Sequence, residues 1–363
     1  MMLSVTGKRV KREDSAQYDA MDDAASKRTK TEEEAASGAS MFSSLGLPIP
    51  GLLTQSYTHF SAHQGDGAQG GGYVLGVDEA GRGPVLGPMV YAACYCKESY
   101  YDELSTLGFA DSKQLTEAQR LRLFVRLQEE PHINDHAGWA VRSISPYDIS
   151  VSMLRRAKYN LNAMAHDATI LLLTQAIRQR NVHVTRVFVD TVGPPATYQR
   201  KLEQLFPDIK FTVAKKADSL FPIVSAASVC AKVIRDAHLT HWCFKEPAIL
   251  VERVFGSGYP GDPNTVKWLR ASVDPVFGFP DIIRFSWSTC VKLLDDLAVP
   301  VAWPDDANDE EKAGCASAAK KASHRSGTAS TIHALFATAS SDASRQRSRF
   351  FGSRRPILLN TTL

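Results

Sequence analysis

The sequence predicts an α/β domain with a helical C-terminal part. Three observations predict it. Short apolar strands alternate with segments of helical period, two of those strands close on carboxylates, and both flanks lose apolar periodicity. Strands alternating with helices are the pattern of an α/β core.

The chain has 363 residues, enough for one or two domains and a sizeable core. Its 42 Lys and Arg against 39 Asp and Glu leave a net charge of +3. The chain as a whole therefore does not announce a polyanion binder, and basic surface must come from local clustering. No run of about 18 apolar residues occurs, which excludes a transmembrane helix and leads us to expect no membrane partner. The N-terminus lacks the apolar core of a secretion signal. Cys94, Cys96, Cys230, Cys243, Cys290 and Cys315 are scattered without paired CxxC motifs. They read as structural thiols of a reducing compartment.

Residues 1–68 are rich in Ala, Ser, Gly and charge and are expected to be a disordered tail. Two basic clusters in it, Lys8-Arg9-Lys11-Arg12 and Lys27-Arg28-Lys30, have the spacing of a bipartite nuclear import signal, a pattern equally open to a solvated charge run. Residues 304–363 are expected to be a second disordered tail, acidic at its start and basic at its end. In it, Ile332, Leu335 and Phe336 have the spacing of a degenerate sliding-clamp peptide, and Phe350-Phe351 offers another apolar anchor; chance produces both often. The folded unit is about 70–303, helical and looped from about 246, with no internal repeat.

Strands are expected at Tyr73–Asp78, Pro88–Cys96, Trp139–Ile144, Arg186–Asp190 and Lys210–Val213. Helical spacing over Leu161–Arg178 puts Leu161, Met164, Ala168, Leu171, Leu172 and Ala176 on one face. A long helix is expected at Ile223–Trp242, with Pro222 where a helix start favours it.

The acids carry the chemistry. Asp78 and Glu79 close the first strand, Asp190 closes the fourth, and Asp218 follows Lys215-Lys216-Ala217 before the long helix. Strand ends of α/β sheets gather ligands. Converging carboxylates repel unless a cation lies between them, and hard oxygen ligands suit Mg²⁺ or Mn²⁺. Two such ions about 3.5–4 Å apart are a standard device for phosphodiester hydrolysis. Acids at strand ends also serve as helix caps and loop anchors. The loop Gly81-Arg82-Gly83-Pro84, which follows the first pair at once, shifts the weight towards a ligand site, because glycines let backbone N–H groups approach closely.

The stretch Gly76-Val77-Asp78-Glu79-Ala80-Gly81-Arg82-Gly83-Pro84-Val85-Leu86-Gly87-Pro88 resembles the signature of type 2 ribonucleases H. Further motifs follow in the family's order: Asp111-Ser112-Lys113, Tyr159-Asn160-Leu161-Asn162 with His166-Asp167, Phe188-Val189-Asp190-Thr191-Val192-Gly193, Lys216-Ala217-Asp218 through Ala231-Lys232-Val233, and Gly256-Ser257-Gly258-Tyr259-Pro260. Phe277-Gly278-Phe279-Pro280 and Arg284-Phe285-Ser286-Trp287 look like the eukaryotic catalytic-subunit branch. The resemblance covers about 73–303.

It implies a ribonuclease H-like mixed sheet flanked by helices. It also implies a metal-dependent endonuclease acting on RNA–DNA hybrids and on single ribonucleotides in duplex DNA, in the nucleus, with two non-catalytic partner subunits. The positions matching Asp78, Glu79, Asp190 and Asp218 would bind two divalent ions. Gly81, Arg82 and Gly83 would contact the ribose 2′-OH, the atom that separates RNA from DNA. Tyr259 would pack beside the sugar at the RNA–DNA junction. Lys113, Asn160, Lys232 and Arg235 match polar positions near the substrate backbone. His166 and Asp167, among apolar helical neighbours, are expected to be structural rather than a catalytic pair. An integrase- or resolvase-type DNA nuclease and a non-catalytic hybrid-binding protein are the alternatives; the first has no use for a ribose-reading loop, and the second none for four acids.

Overall fold

The structure is a computed structural model. It describes residues 49, 51–109, 115–157, 159–191, 193–245 and 254–300. The strands are β1 (Tyr57–Phe60), β2 (Tyr73–Ala80), β3 (Met89–Lys97), β4 (Ala137–Ile144), β5 (Val184–Asp190) and β6 (Lys210–Ala214). The helices are α1 (Tyr101–Thr106), α2 (Glu117–Glu129), α3 (Pro131–Asn134), α4 (Pro146–Met153), α5 (Leu161–Gln179), α6 (Pro195–Leu205), α7 (Pro222–Thr240), α8 (Pro263–Ser272) and α9 (Ser288–Leu297).

The six strands form one sheet in the order β1-β4-β3-β2-β5-β6. Strands β2, β3 and β4 pair antiparallel, whereas β2–β5 and β5–β6 are parallel, so the sheet is mixed as the resemblance implies. All five expected strands and both expected long helices are present, each within a few residues of its expected ends. Helix α2 has no counterpart among the expected elements, although Thr116 and Gln119 form a reciprocal capping box at its start.

The sheet is buried on both faces. Strand residues alternate, so Val74, Val90, Ala92 and Cys94 pack with Val224, Ala227 and Val233 of α7. Leu75, Val77, Tyr91 and Ala93 face the other way, onto Leu172, Leu173 and Ala176 of α5. A third cluster joins Val85, Leu86, Trp242, Trp268, Phe279, Ile283 and Leu293, and it fastens the helical C-terminal part to the loop after β2.

Gly76 explains how α7 comes so close to the sheet. A Cβ there would lie 2.5 Å from the backbone carbonyl of Ile223, in the first turn of α7. Only glycine allows that approach, and it puts the start of α7 against the strand bearing Asp78.

The expectation of disorder over 1–68 is corrected for residues 51–68. Strand β1 pairs antiparallel with β4, and Leu53 is buried in the third core cluster. The segment is short and polar, so a four-residue strand leaves no apolar period to read. Its pairing partner lies some eighty residues away. The basic clusters at 8–30, the segment Asp111–Gln114 with Lys113, Cys315 and the C-terminal apolar peptides lie outside the described residues. The five described cysteines are free thiols, four of them buried.

Candidate metal and nucleic-acid site

The parallel register of β2 and β5 brings the acids together. Val77 pairs with Val189, so Asp78-Glu79 and Asp190 leave the sheet side by side. Asp78, Glu79 and Asp190 each present a carboxylate oxygen within 4.8 Å of the others. Asp218 lies outside that trio, in the buried turn Ala217–Ser219 between β6 and α7. The turn is tied to the trio, because Ala217 N donates to Asp190 Oδ1 at 2.8 Å. Lys216 holds a left-handed backbone (φ 57°) to make it, a conformation that non-glycine residues adopt at a cost.

The electrostatics are those of an uncompensated anionic cluster. Burial, then the charges of Glu79 and Asp190, hold the Asp78 carboxyl well above the usual carboxylate range. Glu79 is pushed up to about 7 by burial, then by the negative charges of Asp190 and Asp218, with Arg82 opposing. Burial and neighbouring charge thus make Asp78 and Glu79 hold their protons more tightly than free carboxyls, a penalty that a bound cation would relieve.

Helix α7 frames one side. Ser228 hydrogen-bonds the Asp78 carboxylate and also accepts from Lys232 Nζ at 3.0 Å. Arg235 lies one turn further on, beside Gly81, and Gly81 has a positive φ of 79°. A Cβ on Gly81 would lie 2.4 Å from Arg235 Nε. On the other side, a cleft of about 140 Å³ is lined by Glu79, Arg82, Asn162, His166, Asp190 and Tyr198. Arg82 donates to Asn162 Oδ1 and to the Tyr91 hydroxyl.

Tyr259 is 54% exposed. It stands on a turn fixed by Asp262, whose carboxylate accepts from Ser257 N and Oγ at 2.7 Å each. These bonds hold the Asp262 carboxyl down at about 2. A Cβ on Gly83 would sit 3.0 Å from Tyr259 Cε1, so the ring and the glycine loop adjoin.

The structure therefore assembles Asp78, Glu79, Asp190, Gly81, Arg82, Gly83, Lys232, Arg235 and Tyr259 around one end of the central strands β2 and β5, with Asp218 beside them. Asn160 is the N-cap of α5 and accepts from Ala163 N at 3.0 Å; Asn162 is the asparagine in the cleft. His166 and Asp167 do not act as a pair. The His166 ring stacks on Tyr198 at 3.9 Å, and Asp167 accepts from the Tyr159 hydroxyl.

Arg284 sits in one of the family-like motifs, yet the sequence assigns it no role. It is completely buried, and its guanidinium donates to the carbonyls of Gly81, Arg82, Pro84 and Gly87. It thus shapes the whole glycine loop from beneath. Burial pushes its pKa down to about 9. A single Arg in an apolar stretch gives no sign of this, since its partners are backbone atoms about 200 positions away.

Comparison with known proteins places the chain in a family. The Ribonuclease HII family matches residues 75–290. A Rattus norvegicus protein named as a subunit of Ribonuclease H2 is 56% identical over 241 residues, 66% of this chain and 79% of that one. The Homo sapiens protein of the same name is 52% identical over 239 residues, 66% of this chain and 78% of that one. The ribonuclease H2 crystal structure from Pyrococcus horikoshii OT3 superposes with a TM-score of 0.51 and 31% identity, covering 62% of this chain and 98% of that one. With a family match over more than half of its length, the chain belongs to the ribonuclease HII family and is a ribonuclease H enzyme.

Proposed function

We propose that the chain hydrolyses the RNA strand of RNA–DNA hybrids and cuts on the 5′ side of single ribonucleotides embedded in duplex DNA, leaving 3′-OH and 5′-phosphate ends. One observation carries this reading: the carboxylate trio, the Gly81–Gly83 loop and the Tyr259 ring adjoin one another.

The trio fits divalent cations. Its donors are hard oxygens, and burial and mutual repulsion raise the Asp78 and Glu79 carboxyls, a cost that a bound cation would offset. Asp78, Glu79 and Asp190, with Asp218 at the edge, would hold Mg²⁺ or Mn²⁺, two ions per site. Bound there, the ions would activate water and stabilise the leaving oxygen. The rest falls to the protein. The loop's backbone, held by Arg284 from below, would test for a 2′-OH. Tyr259 offers its ring to the sugar on the far side of the cut. Lys232 and Arg235 place positive charge along the backbone, which positions a duplex without reading its sequence.

The relatives are named as one subunit of an enzyme, which supports an assembly with further subunits; two non-catalytic ones are what the sequence resemblance implies. The basic clusters at 8–12 and 27–30 support a nuclear location, where the proposed cleavage would serve the removal of ribonucleotides and RNA primers from DNA. The sliding-clamp peptide rests on sequence spacing alone.

The test is a cleavage assay in Mg²⁺ on an RNA–DNA hybrid, a duplex with one ribonucleotide, and an all-DNA duplex. The first two should be cut and the third left intact. Cleavage of the all-DNA duplex would point to an integrase-type nuclease, and binding without cleavage to a non-catalytic hybrid binder.

A further inference from the structure

A second cavity, of about 350 Å³, lies on the opposite side of α5 from the cleft. The cleft is lined by Asn162 and His166 of that helix, the second cavity by Asp167 and Leu171. Both adjoin its first turns, one helix diameter apart, about 10 Å.

Arg142 and Arg155 line this cavity together with Ser56, Asp148, Tyr159 and Asp167. The charges look balanced, but their hydrogen bonding is not. Asp148 already accepts from Ser56 N at 2.8 Å and from Ser56 Oγ. Asp167 already accepts from Tyr159. Among the described residues neither acid pairs with either arginine. Arg142 has one side-chain hydrogen bond, from Nη1 to Thr58 Oγ1 at 3.2 Å, which leaves the rest of its fork to a ligand. Arg155 is exposed, and its guanidinium rests 5.9 Å from the Tyr159 ring centre without a hydrogen bond. The open donors belong to the arginines; each acid accepts from a neutral group but keeps its charge, and Asp148 also acts on Arg142, so a phosphate here must bind on the arginine side of the cavity.

The geometry points to a binding site for a phosphate group, filled by a backbone phosphate of the bound duplex beyond the position that is cut. Planar guanidinium forks match phosphate oxygens. The start of α5 lies between the two cavities, with Asn162 in the cleft and Tyr159 in the second cavity, so an extended polyanion lying across it reaches both. The inference rests on the proposed nuclease reading for the identity of the polyanion.

The test compares the full chain, with any subunits that co-purify, with Arg155→Gln and with Arg142→Gln/Arg155→Gln. Each meets a long and a short duplex carrying the same single ribonucleotide, over a salt series. The short duplex ends before the second cavity. Both KM and the dissociation constant for the duplex are read. For the long duplex the double variant should raise both roughly tenfold at unchanged kcat. The slope of log KM against log salt should shrink by about one for each phosphate no longer neutralised. The short duplex should not respond. Arg155→Gln lies on the surface and cannot fail through misfolding, and it should give part of the effect. An unchanged slope, or equal losses on long and short duplexes, overturns the proposal. Inorganic phosphate that raises the Tm of the wild type and not of the double variant, with duplex slopes unchanged, would mean a free-anion site and overturn the duplex assignment. A wild-type chain that cuts no ribonucleotide-containing duplex would instead sink the nuclease reading, while the dissociation constants would still judge the cavity.

Discussion

Arg284 Nη2 donates to the carbonyl of Gly81 at 2.6 Å, across 203 positions of sequence. Three further carbonyls of the same loop share that guanidinium. Arg284→Gln should therefore leave several buried carbonyls unpaired. Each orphaned group costs about 1–3 kcal/mol, so a loss of roughly 3 kcal/mol or more is expected by chemical denaturation. Arg284→Lys should be nearly as damaging, because one ammonium cannot reach four carbonyls in a fork. Denaturation midpoints within about 0.5 kcal/mol of wild type for both would refute this account.

Gly83 and Tyr259 should behave as a coupled pair. The 3.0 Å from a Gly83 Cβ to Tyr259 Cε1 means that Gly83→Ala displaces the ring. Tyr259→Ala should lower cleavage at a single embedded ribonucleotide roughly tenfold or more, and long hybrids less, because stacking is worth about 1–3 kcal/mol. Tyr259→Phe should keep the packing. Adding Gly83→Ala to Tyr259→Ala should cost less than the two separate losses combined. Strict additivity in a double-mutant cycle would show that the two residues do not meet.

Asp190→Asn should abolish nearly all cleavage while keeping the fold. An amide is a poor ligand for a hard cation, yet its oxygen can still accept from Ala217 N. Metal-free stability should be equal or higher, since one of the repelling charges is gone. A folded variant cutting at the wild-type rate would remove Asp190 from the site.

In the metal-free protein the site's own contribution to stability should fall as pH rises through the acids' range. The folded-state carboxyl of Glu79 sits at about 7, above its ordinary 4.5, and Asp78 is raised as well. A raised carboxyl binds its proton more tightly in the folded state. Its contribution is therefore complete below the ordinary value and is lost by about pH 7. Buried His238, pushed down from 6.5 to about 4, acts in the opposite sense between those values, across much of the same range. The difference in Tm between wild type and Glu79→Gln isolates the site. It should grow from pH 4.5 to pH 7 in chelator and shrink when Mg²⁺ is added. A flat difference in chelator would contradict the assigned repulsion.

Deleting residues 1–48 should leave every described element in place. Deleting 1–68 should lower the Tm, because it removes β1 and the buried Leu53 and exposes the edge of β4. Equal melting of the two truncations would mean that β1 contributes nothing.

The sequence by itself determined the sheet's main strands, α5 and α7, and the identity of the acids. Those signals are local: apolar runs that stop at a carboxylate, a 3.6-residue period, and a Pro at a helix start. The glycine loop and the turn at Tyr259 were legible for the same reason, because backbone demands show directly as Gly and Pro. Tertiary structure alone decided what those pieces share. The parallel register of Val77 with Val189 joins Asp78, Glu79 and Asp190, and no local pattern states a register. The exclusion of Asp218 from the tight trio, the choice of Asn162 over Asn160 for the cleft, and the strand β1 depend on contacts between distant segments. The role of Arg284 is the plainest case. Its partners are backbone carbonyls, which every residue carries, so no side-chain pattern could mark them; only the closing of the C-terminal part over the loop brings the donor to them.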